Sequence, residues 1–424
     1  MPNNYDAILK PLYPGDTVPD LSSTSRVFLT NVPKTDNFVG LGTLAIPIQV
    51  NNGGGTSLSS INVYLPGSPQ VGVGTGASGN IYKTFQLVRA HGFGAATIEN
   101  EVAAASKSDT GAFVDYMKRE IDGNMDQLLN QVSFLCYSSS GGTELARRSG
   151  LSGEVVTVRS MSDVIRLRQG MTLVVGPNAD GTGLRTITGG SGSDDGGPVG
   201  NAVTVAAVDE DAMTFTLTTG DAAAIGSFSA NDYFFEAGSA TSSFKGLDAW
   251  CPLATPSTSD SFLGVNRSTA PAKLAGHRIA TSASLEVGVK KLATRIFSTA
   301  SKAANIALCN PDDFDNLTTS LAGKGIYPSQ GGDAKYSFRK VTIATSGGDV
   351  DVTPDPHCPA GRTWVTRYDV WKLHHLKGLP HFNVQGGGNR VIDSIDGTNT
   401  CTARLAWYGA LACYNTGVMG TTSF

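Results

Sequence analysis

Charge is scarce in this 424-residue chain: Asp, Glu, Lys and Arg together make up 16%, where a soluble domain carries roughly 25%. A monomer with so little surface charge would associate, whereas a subunit covered by its neighbours would not, so the composition points to a component of an assembly. The net charge of −4 argues against tight nucleic-acid binding, which needs a basic face to neutralise phosphates. Basic clusters are confined to pairs such as Arg147-Arg148 and Lys290-Lys291. Long apolar runs are missing too. No window approaches the ~18 residues of a membrane span, and "MPNNYDAILKPLYPGDTVPD" lacks the apolar core of a secretion signal. The six cysteines (Cys136, Cys251, Cys309, Cys358, Cys401 and Cys413) contain no CxxC pair, which excludes a zinc ribbon and a dense disulfide framework. They read as thiols of a protein made in the cytosol, with Cys401 and Cys413 as small core residues in an apolar stretch. No GxSxG, Walker loop or GxGxxG placed between strand and helix occurs.

What the chain has in excess is glycine: 51 of 424 residues, about one in eight against a usual ~7%. Residues 1 to 40 hold several prolines and little periodicity, and read as an extended arm. "LAIPIQV" (44–50), "SINVYL" (60–65) and "IYKTFQLVRA" (81–90) have strand composition. The Gly-rich "PGSPQVGVGTGASGN" (66–80) between them is a loop or hairpin tip. Residues 41 to 90 thus form an extended β-arm with little core of its own.

"GAFVDYMKREIDGNMDQLLNQVSFLCY" (111–137) is the clearest helix. Val114, Met117, Ile121, Met125, Leu128, Val132 and Leu135 recur every three or four residues on one face. Asp109 or Thr110 can cap its start. Asp115/Arg119 and Lys118/Asp122 are opposite charges four apart on the solvated side. At ~1.5 Å per residue it would run roughly 40 Å, a backbone on which other layers pack.

Residues 151 to 238 read as a separate β unit. "VTVAAVDEDAMTFTLTT" gives two alternating strands around a turn at Asp209-Glu210-Asp211, "GMTLVVG" and "LRTITGG" give further strands, and "GGSGSDDGGPVGN" (189–201) is an exposed loop. The pattern on either side reads as one larger α/β body interrupted by this insertion. A second helix covers about 282 to 303, with Leu285, Val289, Leu292 and Ile296 in step. In "IALCNPDDF" a short strand runs into Asn310 as N-cap and Pro311 at the first helical position, with Asp312 and Asp313 in the first turn. That helix stops near Gly323. "RKVTIAT", "RTWVTRYDVWKLHHL" and "CTARLAWYGALACY" (401–414) complete a mixed sheet.

Three clusters invite a catalytic reading, and each has a plainer one. Helix capping accounts for Asp312 and Asp313 in "PDDFD" (311–315). His374, His375 and His381 in "HHLKGLPH" lack a carboxylate partner for a metal site. His357 and Cys358 in "DPHCPAG" are adjacent, so in extended chain they point apart, whereas a Cys–His dyad needs hydrogen-bond reach. The expectation is no catalytic, cofactor or metal site, and not an enzyme.

The order of elements resembles a known family. The stretch "YKTFQLVRAHGFGAATIENEVAAASKSDTGAFVDYMKREIDGNMDQLLNQVSFLCYSSSGG" (82–142) looks like the return strand of an extended loop running into a spine helix. "DSFLGVNRSTAPAKLAGHRI" (260–279), followed by a helix and "IALCNPDDFDNLTTSL", is similar to a peripheral-to-axial region. Together, covering about half the chain, they resemble the major capsid proteins of tailed double-stranded-DNA bacteriophages, which have the Hong Kong 97-type fold.

The resemblance implies an α+β fold: N-terminal arm (1–40), extended β-loop (41–90), spine helix and peripheral domain (91–150), a β-rich insertion (151–238), and the rest of the peripheral and axial domains (239–424). It implies a homo-oligomer of hexamers and pentamers closing an icosahedral shell in the virion. The shell encloses dsDNA without sequence-specific binding, and its partners are a portal and a possible cement protein. Inter-subunit contacts are expected at Gly53, Gly54, Gly74 and Gly76 in the loop, and at Asp115, Lys118, Arg119 and Asp122 on the helix. Some members crosslink a loop Lys to a neighbour's Asn. Residues 41 to 80 contain no Lys here, the nearest being Lys34 and Lys83, so no covalent crosslink from that loop is expected. The short, Pro-containing N-terminus differs from a cleaved scaffolding segment, so no proteolytic maturation and a separate scaffolding protein are expected. An encapsulin-type compartment shell shares the fold and is the nearest alternative, with a tail-tube subunit or surface-layer protein further off.

Overall fold

The computed structural model describes residues 26–36, 38, 42–51, 81–99, 110–139, 144–194, 199–300, 302–323, 341–382, 393–394 and 400–424. A helical turn at Val27–Asn31 precedes strand β1 (Lys34–Asp36). Strands β2 (Thr43–Asn51) and β3 (Ile81–Val88) pair as a two-stranded antiparallel ribbon. Strand β4 (Ala90–Glu99) leads to the long helix α1 (Thr110–Leu135). Six strands follow: β5 (Glu144–Ser152), β6 (Val155–Val158), β7 (Thr172–Gly176), β8 (Val203–Asp209), β9 (Thr214–Leu217) and β10 (Tyr233–Glu236). They close into a barrel in the order β10-β5-β6-β9-β8-β7.

After the barrel come β11 (His277–Ile279), helix α2 (Leu285–Thr299), β12 (Ile306–Cys309), helix α3 (Pro311–Gly323), β13 (Val341–Thr345), β14 (Gly348–Pro354) and β15 (Arg362–Thr366). Then follow β16 (Trp371–His375), β17 (His381–Phe382), β18 (Asp393–Ser394), β19 (Thr400–Cys413) and β20 (Gly420–Ser423). Two six-stranded sheets result. One has the order β11-β20-β15-β12-β14-β13; the other is built on β19, which pairs β16, β17, β18 and β4, with β1 on the outside of β16. "RTWVTRYDVWKLHHL" is therefore divided between the two sheets, broken by a 3-10 turn at Tyr368–Val370.

The helices follow their sequence signals closely. On α1, Ile121, Met125, Leu128, Val132 and Leu135 are all buried, and Leu129 joins them. The helix stops at Leu135 rather than 137: Tyr137 N–H and Ser138 N–H turn back onto Phe134 O (2.9 Å) and Leu135 O (3.1 Å), and beyond its end Cys136 O and Ser138 O accept from Leu247 N–H (2.7 Å) and Ala249 N–H (3.2 Å). Thr110 is already helical, and Asp109 lies outside the described residues. Leu285, Val289, Leu292 and Ile296 of α2 are buried, and Ser284 caps it through Val287 N–H. Asn310 Oδ1 accepts from Asp312 N–H at 3.0 Å, the expected cap of α3.

Other expectations shift. The barrel takes in Glu144–Ser152, ahead of the expected start at 151, because β5 supplies the strand between β10 and β6 that closes it. "LRTITGG" makes only an isolated bridge, Ile187 to Ile225. Gly189 there turns to positive φ, and Arg185 is drawn off to Asp232 by two 2.7 Å hydrogen bonds. The β8–β9 turn lies where expected and extends to Met213 at positive φ. The barrel has its own core, with Val156, Leu173, Val175, Val203 and Phe234 at 0% exposure and Phe215 packed edge-on to Phe234. Closure leaves it without free edges. Residues 26 to 36 are not extended throughout, since Phe28, Leu29 and Val32 of the helical turn sit in the main core.

Candidate functional site

Two elements of this fold carry the expected inter-subunit contacts: the β2–β3 ribbon and the outer face of α1. The ribbon alternates cleanly. Ile46, Ile48, Phe85 and Leu87 turn inward and are buried, while Tyr82 and Val88 stand 55% and 62% exposed on the other side. A lone two-stranded ribbon is marginal in water, and this one is held by its root. The Phe85 ring packs at 5.1 Å from Trp250 and 6.0 Å from Phe262. Gln86 N–H donates to Leu263 O (3.0 Å) and Lys273 Nζ to Val50 O (2.8 Å). The ribbon pairs with no third strand among the described residues. Gly53, Gly54, Gly74 and Gly76, and the expected strand at 60–65, lie outside the described residues.

Helix α1 rests on β4, a strand the sequence reading did not see. Gly92 and Gly94 face the helix side, and a Cβ on Gly92 would meet Trp407 Nε1 at 2.2 Å; one on Gly94 would meet Asn124 Oδ1 at 2.2 Å. The two glycines allow the helix and the Trp407 indole to close on the strand. Lys118 and Arg119 are exposed on the far face and Asp122 is half-buried; the side chain of Asp115 is outside the described residues. Arg26 ties the N-terminal segment to this helix, donating from Nε to Asn130 Oδ1 and from Nη2 to Asp126 Oδ1, both at 2.9 Å.

The deepest polar junction is Asp355, 1% exposed. Its Oδ2 accepts from Phe28 N–H (3.0 Å) and from the Tyr137 hydroxyl (2.8 Å); its Oδ1 accepts from His357 N–H (2.9 Å), with His357 Nδ1 at 3.2 Å. One carboxylate thus joins the N-terminal segment, the end of α1 and the β14–β15 loop. Burial, with the Asp355 charge beside it, pushes the Tyr137 phenol well up.

The residues weighed for chemistry do not converge. Cys358 turns to the carbonyls of Leu308, Pro359 and Arg362, away from the partners of His357, and burial pushes its thiol well up. His374 is fully buried, bonded to the Tyr414 hydroxyl (3.0 Å) and pushed down to about 4 by burial. His381 Nδ1 is 3.0 Å from Gly378 O. Asp313 accepts from Gly361 N–H at 2.8 Å. Among the described residues, no three His, Cys, Asp or Glu side chains are grouped to hold a metal, and no helix is long and apolar enough to cross a membrane. Cys136, Cys251, Cys309, Cys358 and Cys413 are free and buried; the side chain of Cys401 lies outside the described residues.

No protein-family model and no curated protein sequence matches this chain. Solved structures do match. The subunit of the cyanophage A-1(L) capsid aligns over 97% of this chain and 98% of its own, at 10% identity and a TM-score of 0.51. The encapsulin complex of Synechococcus elongatus aligns over 99% and 94%, at 8% identity and a TM-score of 0.43. The Mycobacterium phage Bobi structure aligns over 98% and 97%, at 11% identity and a TM-score of 0.42. The chain has a mixed α/β fold shared, nearly end to end, with the cyanophage capsid subunit.

Proposed function

We propose that this chain is the major capsid protein of a tailed double-stranded-DNA bacteriophage, with the Hong Kong 97-type organisation. The observation that carries the reading is the cyanophage capsid fold over 97% of the chain. The long helix on a glycine-relieved strand and a rooted ribbon with Tyr82 and Val88 exposed on its outer side support it. In this reading α1 is the spine helix, the β2–β3 ribbon is the base of the extended loop, and residues 1 to 40 are the arm. The barrel is the insertion on the shell subunit.

The role is structural and not catalytic. Copies join as hexamers and pentamers, and the arm and ribbon add strands or apolar cover to neighbouring subunits. Assembly takes place in the host cytoplasm, with a separate scaffolding protein and a portal, and the finished shell encloses the genome without reading its sequence. The acidic balance suits a container filled by a motor, since the wall need not neutralise the phosphates. Negative-stain microscopy of the chain co-expressed with its neighbouring head genes tests this. Closed shells tens of nanometres across are expected; tubes or flat lattices would point to a tail or surface-layer protein, and a dispersed monomer would refute assembly.

A further inference from the structure

The joint between barrel and body forms a half-open pocket of about 110 Å³, room for several waters or one tetrahedral oxyanion. Glu144, Arg147 and Arg166 reach it from the barrel side, and Asp248, Arg362 and Trp364 from the body. The arginines are held as a framework. Arg166 lies 3.9 Å over the Phe134 ring and donates from Nη1 to Glu144 O at 3.1 Å. Arg147 lies 5.2 Å over Tyr233. Arg362 lies 4.8 Å over Trp364 and pairs with Asp248 at 2.6 Å.

The hydrogen-bond inventory of this joint is unbalanced. Nε of Arg147, Arg166 and Arg362, and Nε1 of the 1% exposed Trp364, are buried donors without a partner among the described residues. On the acceptor side Glu144 Oε2 and Asp248 Oδ1 lack a hydrogen-bond partner, although Asp248 Oδ1 stands 2.6 Å from Arg362 Nη1 as an ion pair, so the unmet donors still outnumber the unmet acceptors. Native proteins rarely leave so many buried polar atoms unmet in one place. Charge leans the same way: with Arg159 and Asp163, four guanidinium groups face three carboxyl groups around the cavity. Burial and the Asp248 charge push the Glu144 carboxyl up to about 8, so it is largely neutral at physiological pH. Water can meet these donors, passing its own protons to Glu144 Oε2, Asp248 Oδ1 and out through the mouth, but it brings no charge to set against the guanidinium excess. An oxyanion accepts only, and its geometry suits arginine forks.

We propose that the joint binds a tetrahedral oxyanion, phosphate or sulfate, bridging Arg147 and Arg166 of the barrel to Arg362 of the body. The bound anion fixes the barrel's seat on the body. Because only the folded chain has the site, binding raises its stability by mass action.

The test is thermal unfolding of the full unassembled chain, titrated with sodium phosphate against sodium chloride at matched ionic strength. The expected result is a saturating rise in Tm with phosphate beyond chloride, and a heat of binding by calorimetry. In Arg147→Gln, whose guanidinium sits only half-buried on Tyr233, phosphate affinity should fall at least tenfold. Arg362→Lys, which keeps the charge but loses the fork, gives a second reading should the first variant fold poorly. No saturable phosphate effect would mean that water alone fills the cavity and would overturn the proposal. An effect unchanged in both variants would place the anion elsewhere and overturn it equally.

Discussion

Replacing Asp355 by Ala should be the most damaging single polar substitution in the body. The carboxylate is 1% exposed and accepts three hydrogen bonds of 2.8 to 3.0 Å, from Phe28 N–H, the Tyr137 hydroxyl and His357 N–H. Alanine leaves those donors buried and unmet, at about 1–3 kcal/mol each, with partial relief where water enters the space. The expected loss is about 3–5 kcal/mol, the range for removing one partner of a buried charged network. The loss should be local before it is global. Phe28 gives up its backbone anchor while its ring still rests 5.9 Å from Tyr137 and 6.0 Å from Trp371, so residues 26 to 36 should detach first. Urea unfolding of the unassembled chain reads the total, and amide exchange on residues 26 to 36 reads the detachment. Arg26→Ala is the comparison: its side chain is 5% exposed and bonds to Asn130 as well as to the 67% exposed Asp126, so it should cost less than Asp355→Ala, about 1–2 kcal/mol. If Asp355→Ala costs under about 1 kcal/mol, or leaves exchange at Phe28 unchanged, the assignment of Asp355 as the joining residue is wrong.

Three further outcomes are expected. Gly92→Val drives a side chain into the buried Trp407 indole and should cost about 1–3 kcal/mol by overpacking. Ala95→Val, on the exposed side of the same strand, should stay within ~0.5 kcal/mol; thermal unfolding compares them, and equal effects would show that the Trp407 indole does not close on β4. Glu144 titrates from its ordinary 4.5 when unfolded up to about 8 when folded. The folded state therefore holds the extra proton, so this group's stabilisation is complete below pH 4.5 and is lost as pH rises towards about 8, at up to ~1.4 kcal/mol per pH unit. Glu144→Gln should flatten that slope in unfolding curves taken between pH 5 and 8; an unaltered slope would assign it to another group. Since residues 41 to 80 contain no Lys, boiled particles should run as a single band on an SDS gel, and a ladder of covalent multimers would contradict the loop chemistry.

What the sequence made legible is what neighbours along the chain decide. The buried stripe of α1 from Ile121 to Leu135, the Asn310 cap and the β8–β9 hairpin rest on periodicities and capping groups a few residues apart, and they are where they were expected. Strand β4 was not seen because "AHGFGAATIE" carries its information in absences. Gly92 and Gly94 look like loop residues until a helix and an indole are set against them. "ELARRSGLS" has no clean alternation, since β5 is shared between β10 and β6 around the barrel, so the barrel's start was placed too late. "LRTITGG" has strand composition, but the Arg185–Asp232 pair, 47 residues apart, overrides it. Asp355 and Arg26 carry no local signal: their importance comes from partners 218 to 327 and 100 to 104 residues away. The expected contacts in the loop lie outside the described residues, and those on α1 await an assembled particle.

The central claim is that many copies of this fold close a shell. Electron cryo-microscopy of purified particles tests it most directly. The account predicts an icosahedral map into which this chain fits at every hexamer and pentamer position, with α1 and the β2–β3 ribbon recognisable and the ribbon lying against an adjacent copy. A shell whose repeating density is another protein, or particles in which this chain is present in only a few copies, would contradict it.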